Sequence, residues 1–213
     1  MDNLKIKIKS LADEYSKKLE TQIEKRMTEM RDDDKSHYLI YQVLGISPQE
    51  GSLIDTYQNK GRFLYKYAGS FLEEVTILCF IYKFENAQKK VKIQNTLGQK
   101  PKTFEIDCLI GNKAYEIKWR DATTDGDHIT KEHTRVKVIQ DKGLTPIRLM
   151  FYSPNRTQAI KIQDTLKTLY KGVNGEYYSG EEAWHYLKET TGVDLKQILL
   201  DLSQETVKKV GNL

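Results

Sequence analysis

The segment EIDCLIGNKAYEIKWR, residues 105–120, constrains the fold of this 213-residue chain more than any other stretch. Apolar and polar residues alternate on both sides of its central Gly-Asn pair, as they do in β-strands, and Gly-Asn suits a two-residue hairpin turn. Counting outward from that turn predicts that Asp107 and Glu116 lie directly opposite one another, with their Cβ atoms about 5 Å apart. The other face of the hairpin is nearly all apolar, so we expect it to cover a core.

Two opposed carboxylates need an explanation, because like charges directly across a strand pair destabilise it. A divalent cation between Asp107 and Glu116 removes the repulsion, and Mg²⁺ prefers oxygen ligands of this kind. Lys118 is predicted one step further along the same face, where it can polarise a water molecule or stabilise charge on a phosphate. The alternative is that these side chains form the solvated face of a sheet that is buried on one side only.

The charge of the chain is unevenly distributed, although its net value is only +4. Residues 86–171 contain 17 Lys or Arg against nine Asp or Glu, so this segment carries +8 and the remainder carries −4. A basic middle segment favours an anionic partner, most simply a nucleic acid. Ordinary solvated lysines are the alternative explanation.

Periodicity in the rest of the chain predicts an α/β (α+β) fold. Apolar residues spaced by three and four from Leu4 to Met30 predict one long amphipathic helix. A short helix over 36–44, a capped helix from Ser47 to about Gly61, and a separate buried helix over 63–84 are expected next. The later patterns predict strands near 91–93 and over 145–152, and helices over 129–142, 156–170, 179–188 and 194–209.

These elements predict a small mixed β-sheet flanked by helices, with extra helices at both ends. We expect residues 1–60 to form a helical region packed on a core of residues 61–213, within a single compact domain. No apolar run reaches 18 residues and no apolar signal segment is present, so no membrane span and no secretion signal are expected. Cys79 and Cys108 lie in apolar runs, as buried thiols of a reducing, cytoplasmic setting do.

One motif resembles a known enzyme superfamily. Asp107 followed by Glu116-Ile117-Lys118, after an apolar helix that carries two glutamates, resembles the PD-(D/E)xK nucleases. The predicted order of helix, strand, hairpin, strand, helix and strand over about 62–170 is similar as well. The proline of that motif has no counterpart, since Ile106 precedes Asp107. The single chain of this size resembles type II restriction endonucleases, and residues 105–135 are most similar to the ApaLI-like group.

The resemblance implies a restriction-endonuclease-like core in which Asp107 and Glu116 hold Mg²⁺ and Lys118 positions or activates the attacking water. A helix glutamate often assists in that superfamily, and the helical pattern favours Glu74 for this role over its neighbour Glu73. The implied function is Mg²⁺-dependent, sequence-specific hydrolysis of double-stranded DNA to 5′-phosphate ends by a prokaryotic, cytoplasmic homodimer. Two alternatives stay open: a structure-specific repair nuclease or junction resolvase, and a non-catalytic DNA-binding protein on a nuclease scaffold.

DNA contacts are predicted after the second hairpin strand and at one later loop. Arginine reads guanine in the major groove and aspartate can accept from cytosine, whereas basic residues along a helix suit phosphates. A solvated loop and an exposed helix face are the alternative for each position. The candidates are Arg120, Asp121, Asp125, Asp127, His128, Lys131, Arg135, Asn155 and Arg156.

Overall fold

The computed structural model describes residues 1–98, 100–120 and 126–210, and for residues 126–128 and 207–210 it describes the backbone only. The chain divides into two compact units. One comprises Met1–Ile8 with Leu72–Leu213, and the other comprises Lys9–Phe71. The boundary that we expected near residue 60 therefore falls inside the second unit.

The first three elements are helices: α1 (Asp2–Asp32), α2 (Tyr38–Val43) and α3 (Pro48–Lys83). The long amphipathic helix predicted from the first 30 residues is confirmed as α1. The hydroxyl of Ser47 accepts the backbone N–H of Glu50 at 3.2 Å, so the predicted cap at the start of α3 is present.

One helix stands where the sequence predicted two. Helix α3 continues through Gly61 without a break, so the expectation of separate helices on either side of that glycine is wrong. A glycine inside a helix costs about 1 kcal/mol relative to alanine, which neighbouring turns can offset. A helix-ending glycine commonly adopts a positive φ, and Gly61 does not.

Five strands form one mixed sheet in the order β1-β2-β3-β4-β5. The first three strands pair antiparallel, and β4 and β5 then add in parallel. The strand bounds are β1 (Gln88–Gln94), β2 (Thr103–Ile110), β3 (Lys113–Lys118), β4 (Thr145–Met150) and β5 (Glu176–Ser179). Strand β5 was not predicted, because four residues are too few to display an alternating pattern.

Four further helices lie between and after these strands: α4 (Gly126–Asp141), α5 (Thr157–Gly172), α6 (Glu181–Thr191) and α7 (Leu195–Val210). Helix α5 buries residues spaced by three and four, among them Ile162, Leu166 and Tyr170, against Val136 of α4 and Tyr177 of β5. Burying a side chain such as Leu166 contributes about 1.5–3 kcal/mol, so this packing holds α4 firmly in place.

Helix α4 also packs on the other strands of the sheet. Its Ile139 joins Ile106 of β2 and Ala114 of β3 in a second apolar cluster. The described residues thus form seven helices and a five-stranded mixed sheet, and the predicted α+β class is confirmed. No helix in these residues combines the length and the apolar character that a bilayer span requires.

Candidate active site

The predicted hairpin is present at β2 and β3. Gly111 adopts a φ of +57°, as the turn requires, and Leu109 pairs with Ala114 in the predicted register. The backbone pairing extends outward from the turn to Cys108 and Tyr115. One residue further on, the Asp107 carboxylate accepts the N–H of Ile117 at 2.7 Å. A side chain therefore inserts between the strands at the point where the acidic pair begins.

Both acidic residues of the hairpin are buried: Asp107 is 7% exposed and Glu116 is 4% exposed. This burial is inconsistent with the alternative that they belong to a solvated sheet face. Burial raises the pKa of Asp107 to about 7, and the nearby charge of Glu116 adds to the effect. The structure thus brings together two carboxylates that repel one another in a site of low polarity.

Lys118 lies beside both carboxylates and is partly exposed. Its Nζ is 2.5 Å from Glu116 Oε1 and 4.0 Å from Asp107 Oδ2. Burial opposes ionisation of Glu116, but the charges of Lys118, Arg135 and Arg148 outweigh it and lower the pKa of Glu116 to about 2. Burial disfavours the charged form of Lys118 and so lowers its pKa, but the charges of Glu116 and Asp107 outweigh this and hold the pKa above its usual value. The acid-acid-lysine set predicted from the hairpin is therefore assembled in space.

A second set of charges, which the sequence analysis did not identify, lies behind Glu116. Glu132 of α4 is 2% exposed, and its Oε1 meets Arg148 Nη1 at 3.1 Å. The hydroxyl of Tyr170 donates to the same oxygen at 2.6 Å. Arg148 pairs in register with Glu116 across β3 and β4, so its charge reaches the acidic pair. A lone arginine within the apolar strand TPIRLM was the sequence signal for this network.

Arg135 belongs to this charged set and not to an exposed helix face. Its Nη1 contacts Glu116 Oε1 and lies 3.4 Å from Glu132 Oε2. The alternative of a plain exposed helix face does not hold for Arg135, because its guanidinium contacts two carboxylates. The predicted DNA contact of Arg135 stays a prediction. We refer to the six residues of the two sets as the charged cluster: Asp107, Glu116, Glu132, Lys118, Arg135 and Arg148.

Glu73 is a helix carboxylate whose charge acts on Asp107. Its negative charge adds to the rise in the pKa of Asp107, and its Oε1 lies 3.4 Å from Lys90 Nζ. Glu73 shares a helix face with the buried residues Thr76, Ile77 and Phe80, which directs it inward. The helical pattern favoured Glu74, and the structure adds its neighbour Glu73 as a candidate, because the charge of Glu73 reaches Asp107.

Comparison with known protein families decides which kind of protein carries this site. The sequence signature of the ApaLI-like restriction endonucleases matches residues 1–204 of the 213. The chain belongs to the ApaLI-like restriction endonuclease family. It is therefore a type II restriction endonuclease, a nuclease that acts on DNA. No curated protein and no solved structure matches the chain significantly.

The remaining predicted DNA contacts of the endonuclease differ in how far the structure describes them. Lys131 is exposed on α4. Arg120, Asn155 and Arg156 line a cleft of about 480 Å³, and the Arg120 guanidinium lies 5.6 Å from the ring of Trp119. Asp121 and Asp125 lie outside the described residues, as do the side chains of Asp127 and His128.

The cleft lies where two strands of the endonuclease end. The N–H groups of Phe151 and Tyr152 donate to the carbonyls of Lys118 and Trp119, both at 3.0 Å, so the chain segments after β3 and β4 stay side by side. Trp119 and Tyr152 line the cleft, two residues or fewer beyond the ends of their strands. The cleft therefore begins next to Lys118, the last residue of β3.

Within the described residues, no group of three or more His, Cys, Asp or Glu side chains is arranged to hold a metal ion. The acidic pair supplies two carboxylates, and Glu73 is a third acidic group whose charge reaches them. Lys118 and Arg135 both contact Glu116 Oε1, so cationic side chains neutralise this carboxylate.

Proposed function

We propose that this restriction endonuclease hydrolyses phosphodiester bonds of double-stranded DNA with Mg²⁺ held by Asp107 and Glu116, and that it leaves 5′-phosphate ends. We further propose that it acts sequence-specifically in the cytoplasm of a prokaryotic cell. The observation that carries the proposal is the burial of two carboxylates side by side, with the Lys118 ammonium 2.5 Å from one and 4.0 Å from the other. This is the acid-acid-lysine set of the PD-(D/E)xK nucleases, which the sequence resembles.

The residues present fit a magnesium ion. Carboxylate oxygens are the hard ligands that Mg²⁺ accepts, and the ion usually binds through one or two of them with water completing its shell. The raised pKa of Asp107 reflects burial next to another negative charge, which a divalent cation relieves. Two protein carboxylates are enough for such a site, so the lack of a larger acidic group in the described residues is compatible with it.

Each residue then has a defined part in the hydrolysis. Asp107 and Glu116 would hold the Mg²⁺, which would supply positive charge and make a nearby water more acidic. The Lys118 ammonium orients the attacking water and stabilises negative charge on the phosphate oxygens. The water oxygen bonds to phosphorus and loses its proton to solvent, while the P–O3′ bond breaks and the 3′-oxygen takes up a proton. Glu73 adds negative charge near Asp107, and Ile117 fixes the Asp107 carboxylate through its N–H.

DNA recognition is proposed for the cleft that follows β3 and β4. Its residues Arg120, Asn155 and Arg156 provide donors suited to base edges and phosphates, next to the strand that carries Lys118. Lys131 is proposed to contact a backbone phosphate from α4. Asp121 and Asp125 are further proposed DNA contacts, since their segment joins Arg120 to α4, and so are Asp127 and His128 at the start of α4.

A homodimer is proposed because two active sites related by a twofold axis cut both strands of a palindromic site. The unit Lys9–Phe71 exposes large apolar residues that a second copy would cover. Leu53, Tyr57 and Leu64 lie within about 40° of one another around α3. Val43 and Leu44 at the end of α2 are 75% and 73% exposed. Apolar groups concentrated in this way mark interaction surfaces in soluble proteins.

The test is digestion of bacteriophage DNA by the purified endonuclease with Mg²⁺, with an excess of EDTA as the control. We expect discrete fragments with Mg²⁺ and intact DNA with EDTA, and sequencing of the fragment ends gives the recognition site and the stagger. Ligation of the products without prior phosphorylation checks the 5′-phosphate. Cutting of branched DNA alone would point to a junction resolvase, and binding without any cutting would point to a non-catalytic protein.

A further inference from the structure

Arg135 contacts Glu116, one of the two carboxylates proposed to hold the metal ion. Its Nη1 contacts Glu116 Oε1, the same oxygen that Lys118 Nζ meets at 2.5 Å. A divalent ion at Glu116 would be the third cationic group there, so repulsion favours the departure of one of the two side chains. Binding of a metal ion and the present position of Arg135 therefore compete.

Arg135 is better placed to leave than Lys118. Lys118 is on the same strand as Glu116 and also lies 4.0 Å from Asp107 Oδ2, so its ammonium stays in the site in either state. Arg135 reaches Glu116 from α4, a different element from the strand that carries Glu116. Its Nε is buried and has no hydrogen-bond partner within the described residues, so the present position does not satisfy the guanidinium fully.

Glu132 keeps the Arg135 guanidinium within the site when its contact with Glu116 is broken. Glu132 Oε2 lies 3.4 Å from Arg135 Nη1, and Glu132 itself is fixed by Arg148 and by the hydroxyl of Tyr170. A guanidinium has five donors in a planar fork, so it can retain Glu132 and direct other donors elsewhere.

The charges of the cluster indicate which group the remaining N–H donors of Arg135 contact. When Asp107 is ionised, as it must be to hold a metal ion, the three carboxylates and three cationic groups of the cluster cancel. A divalent ion adds two positive charges, and a phosphodiester with its attacking hydroxide supplies two negative charges. A guanidinium can donate two parallel hydrogen bonds to the oxygens of a phosphate, so the displaced Arg135 can bind the phosphate in a bidentate contact.

We propose that Arg135 is a further catalytic residue: it neutralises Glu116 in the metal-free enzyme, yields that carboxylate when the metal ion binds, and then contacts the phosphate that is cut. This proposal rests on the metal-dependent function proposed above. It gives Arg135 opposite effects on two measurable quantities, because the guanidinium hinders metal binding and assists the cleavage step.

The experiment compares the wild type with Arg135→Gln in two measurements. Calorimetric titration of the DNA-free protein with Mg²⁺ gives the metal affinity, and single-turnover cleavage at saturating Mg²⁺ gives the rate. We expect Arg135→Gln to bind Mg²⁺ about threefold more tightly or better, because one repelling charge is gone. Its cleavage rate should fall about 100-fold, as expected when one donor to a reacting phosphate is lost. Lys7→Gln, which removes an exposed charge from α1, should change neither quantity.

A purely structural role for Arg135 predicts a different result. Weaker or unchanged Mg²⁺ binding by Arg135→Gln, or a wild-type rate at saturating Mg²⁺, would overturn the proposal. Asp107→Asn separates this failure from failure of the proposed function. If Mg²⁺ binding is the same in the wild type and in Asp107→Asn, the proposed metal site itself is wrong. If Asp107→Asn abolishes the Mg²⁺ binding of the wild type, the metal site holds and only the role of Arg135 is in question.

Glu132 retains Arg148 and Tyr170 in the Arg135→Gln protein, so no buried carboxylate loses its last partner. If Arg135→Gln nevertheless melts below the assay temperature, Arg135→Lys takes its place. Its charge is retained, so its Mg²⁺ affinity should stay within about twofold of wild type. Its cleavage rate should fall about tenfold, because a lysine ammonium cannot form the bidentate contact with the phosphate. An unchanged rate in Arg135→Lys overturns the proposal.

Discussion

The carboxylate of Asp107 accepts the backbone N–H of Ile117 at 2.7 Å and is buried beside Glu116. The hydrogen bond from Ile117 supports the fold of the hairpin. The burial of Asp107 beside Glu116 places two like charges together away from water. Without a metal ion the protein accommodates this conflict by raising the pKa of Asp107 to about 7 and by placing cationic groups on Glu116.

Replacing Asp107 by asparagine should therefore stabilise the metal-free protein while it removes cleavage. The amide oxygen of the asparagine can still accept the N–H of Ile117, and the repulsion from Glu116 disappears. We expect a gain of about 2–4 kcal/mol in the free energy of unfolding at pH 8, from the size of the pKa shift. Thermal unfolding in EDTA measures it. Glu105→Gln, an exposed change on the same strand, should leave the stability within about 0.5 kcal/mol of wild type.

The same pair of proteins should differ in how stability depends on pH. The pKa of Asp107 rises from its usual 3.8 to about 7 on folding, so the stability that neutral Asp107 provides is complete below about pH 4 and is lost as the pH rises through 7. The asparagine side chain of the variant does not titrate in this range. The advantage of Asp107→Asn should therefore grow between about pH 4 and pH 7 and then level off. An advantage that is constant from pH 4 to pH 8 would contradict the burial of an acidic Asp107 beside Glu116.

At the scale of elements, the hairpin and helix α3 show how one residue type has opposite consequences. Gly61 lies inside a continuous helix, and a Cβ there would meet no atom within 4 Å. Gly111 lies in the turn between β2 and β3 with a φ of +57°, where an L-residue is strained even though space is available.

Alanine at these two positions should therefore change stability in opposite directions. Gly61→Ala should raise the free energy of unfolding by about 0.5–1 kcal/mol, through the higher helix propensity of alanine. Gly111→Ala should lower it by about 1–2 kcal/mol, the cost of a left-handed conformation for an L-residue. Urea unfolding of the two proteins measures both effects. A loss of stability in Gly61→Ala would mean that α3 is broken at this glycine, as its sequence pattern predicted.

The sequence predicted those elements whose signals are local. The turn dipeptide and the alternating pattern were enough for β2, β3 and the meeting of Asp107, Glu116 and Lys118. The network of Glu132 and Arg148 could not be predicted in this way, because its members come from α4 and β4 and meet only after the sheet has formed. The division of α3 was wrong for a related reason: packing along the helix overrides a weak local preference of one glycine.

At the scale of the whole molecule, the basic segment and the apolar helical surface suggest two kinds of partner. Residues 86–171 carry +8 and include strands β1 to β4, α4 and the cleft, consistent with a family that acts on DNA. The unit Lys9–Phe71 lies outside that segment and exposes the apolar residues of α2 and α3. We therefore assign DNA binding to the first region and dimerisation to the second.

A charge placed on the apolar surface should separate the proposed dimer. Leu44→Glu should convert a species of twice the 24.8 kDa chain mass into one of 24.8 kDa in size-exclusion chromatography with light scattering. It should keep the helical circular dichroism of the wild type, since Leu44 is 73% exposed. Gln42→Glu adds the same charge at an exposed polar position of α2 and should leave the dimer intact. A wild type that elutes as a monomer at assay concentrations would contradict the assignment.

The most direct test of the account is the single-turnover rate at which the active-site variants cleave a duplex that carries the recognition site, at saturating Mg²⁺. Asp107→Asn and Lys118→Ala should each lower the rate at least about 1,000-fold, because each removes a group that holds the metal ion or stabilises the reacting phosphate. Both proteins should keep their circular dichroism spectra, and Lys7→Gln should cleave at the wild-type rate. A rate within about tenfold of wild type for either variant would show that the buried acidic pair and its lysine are not the catalytic centre.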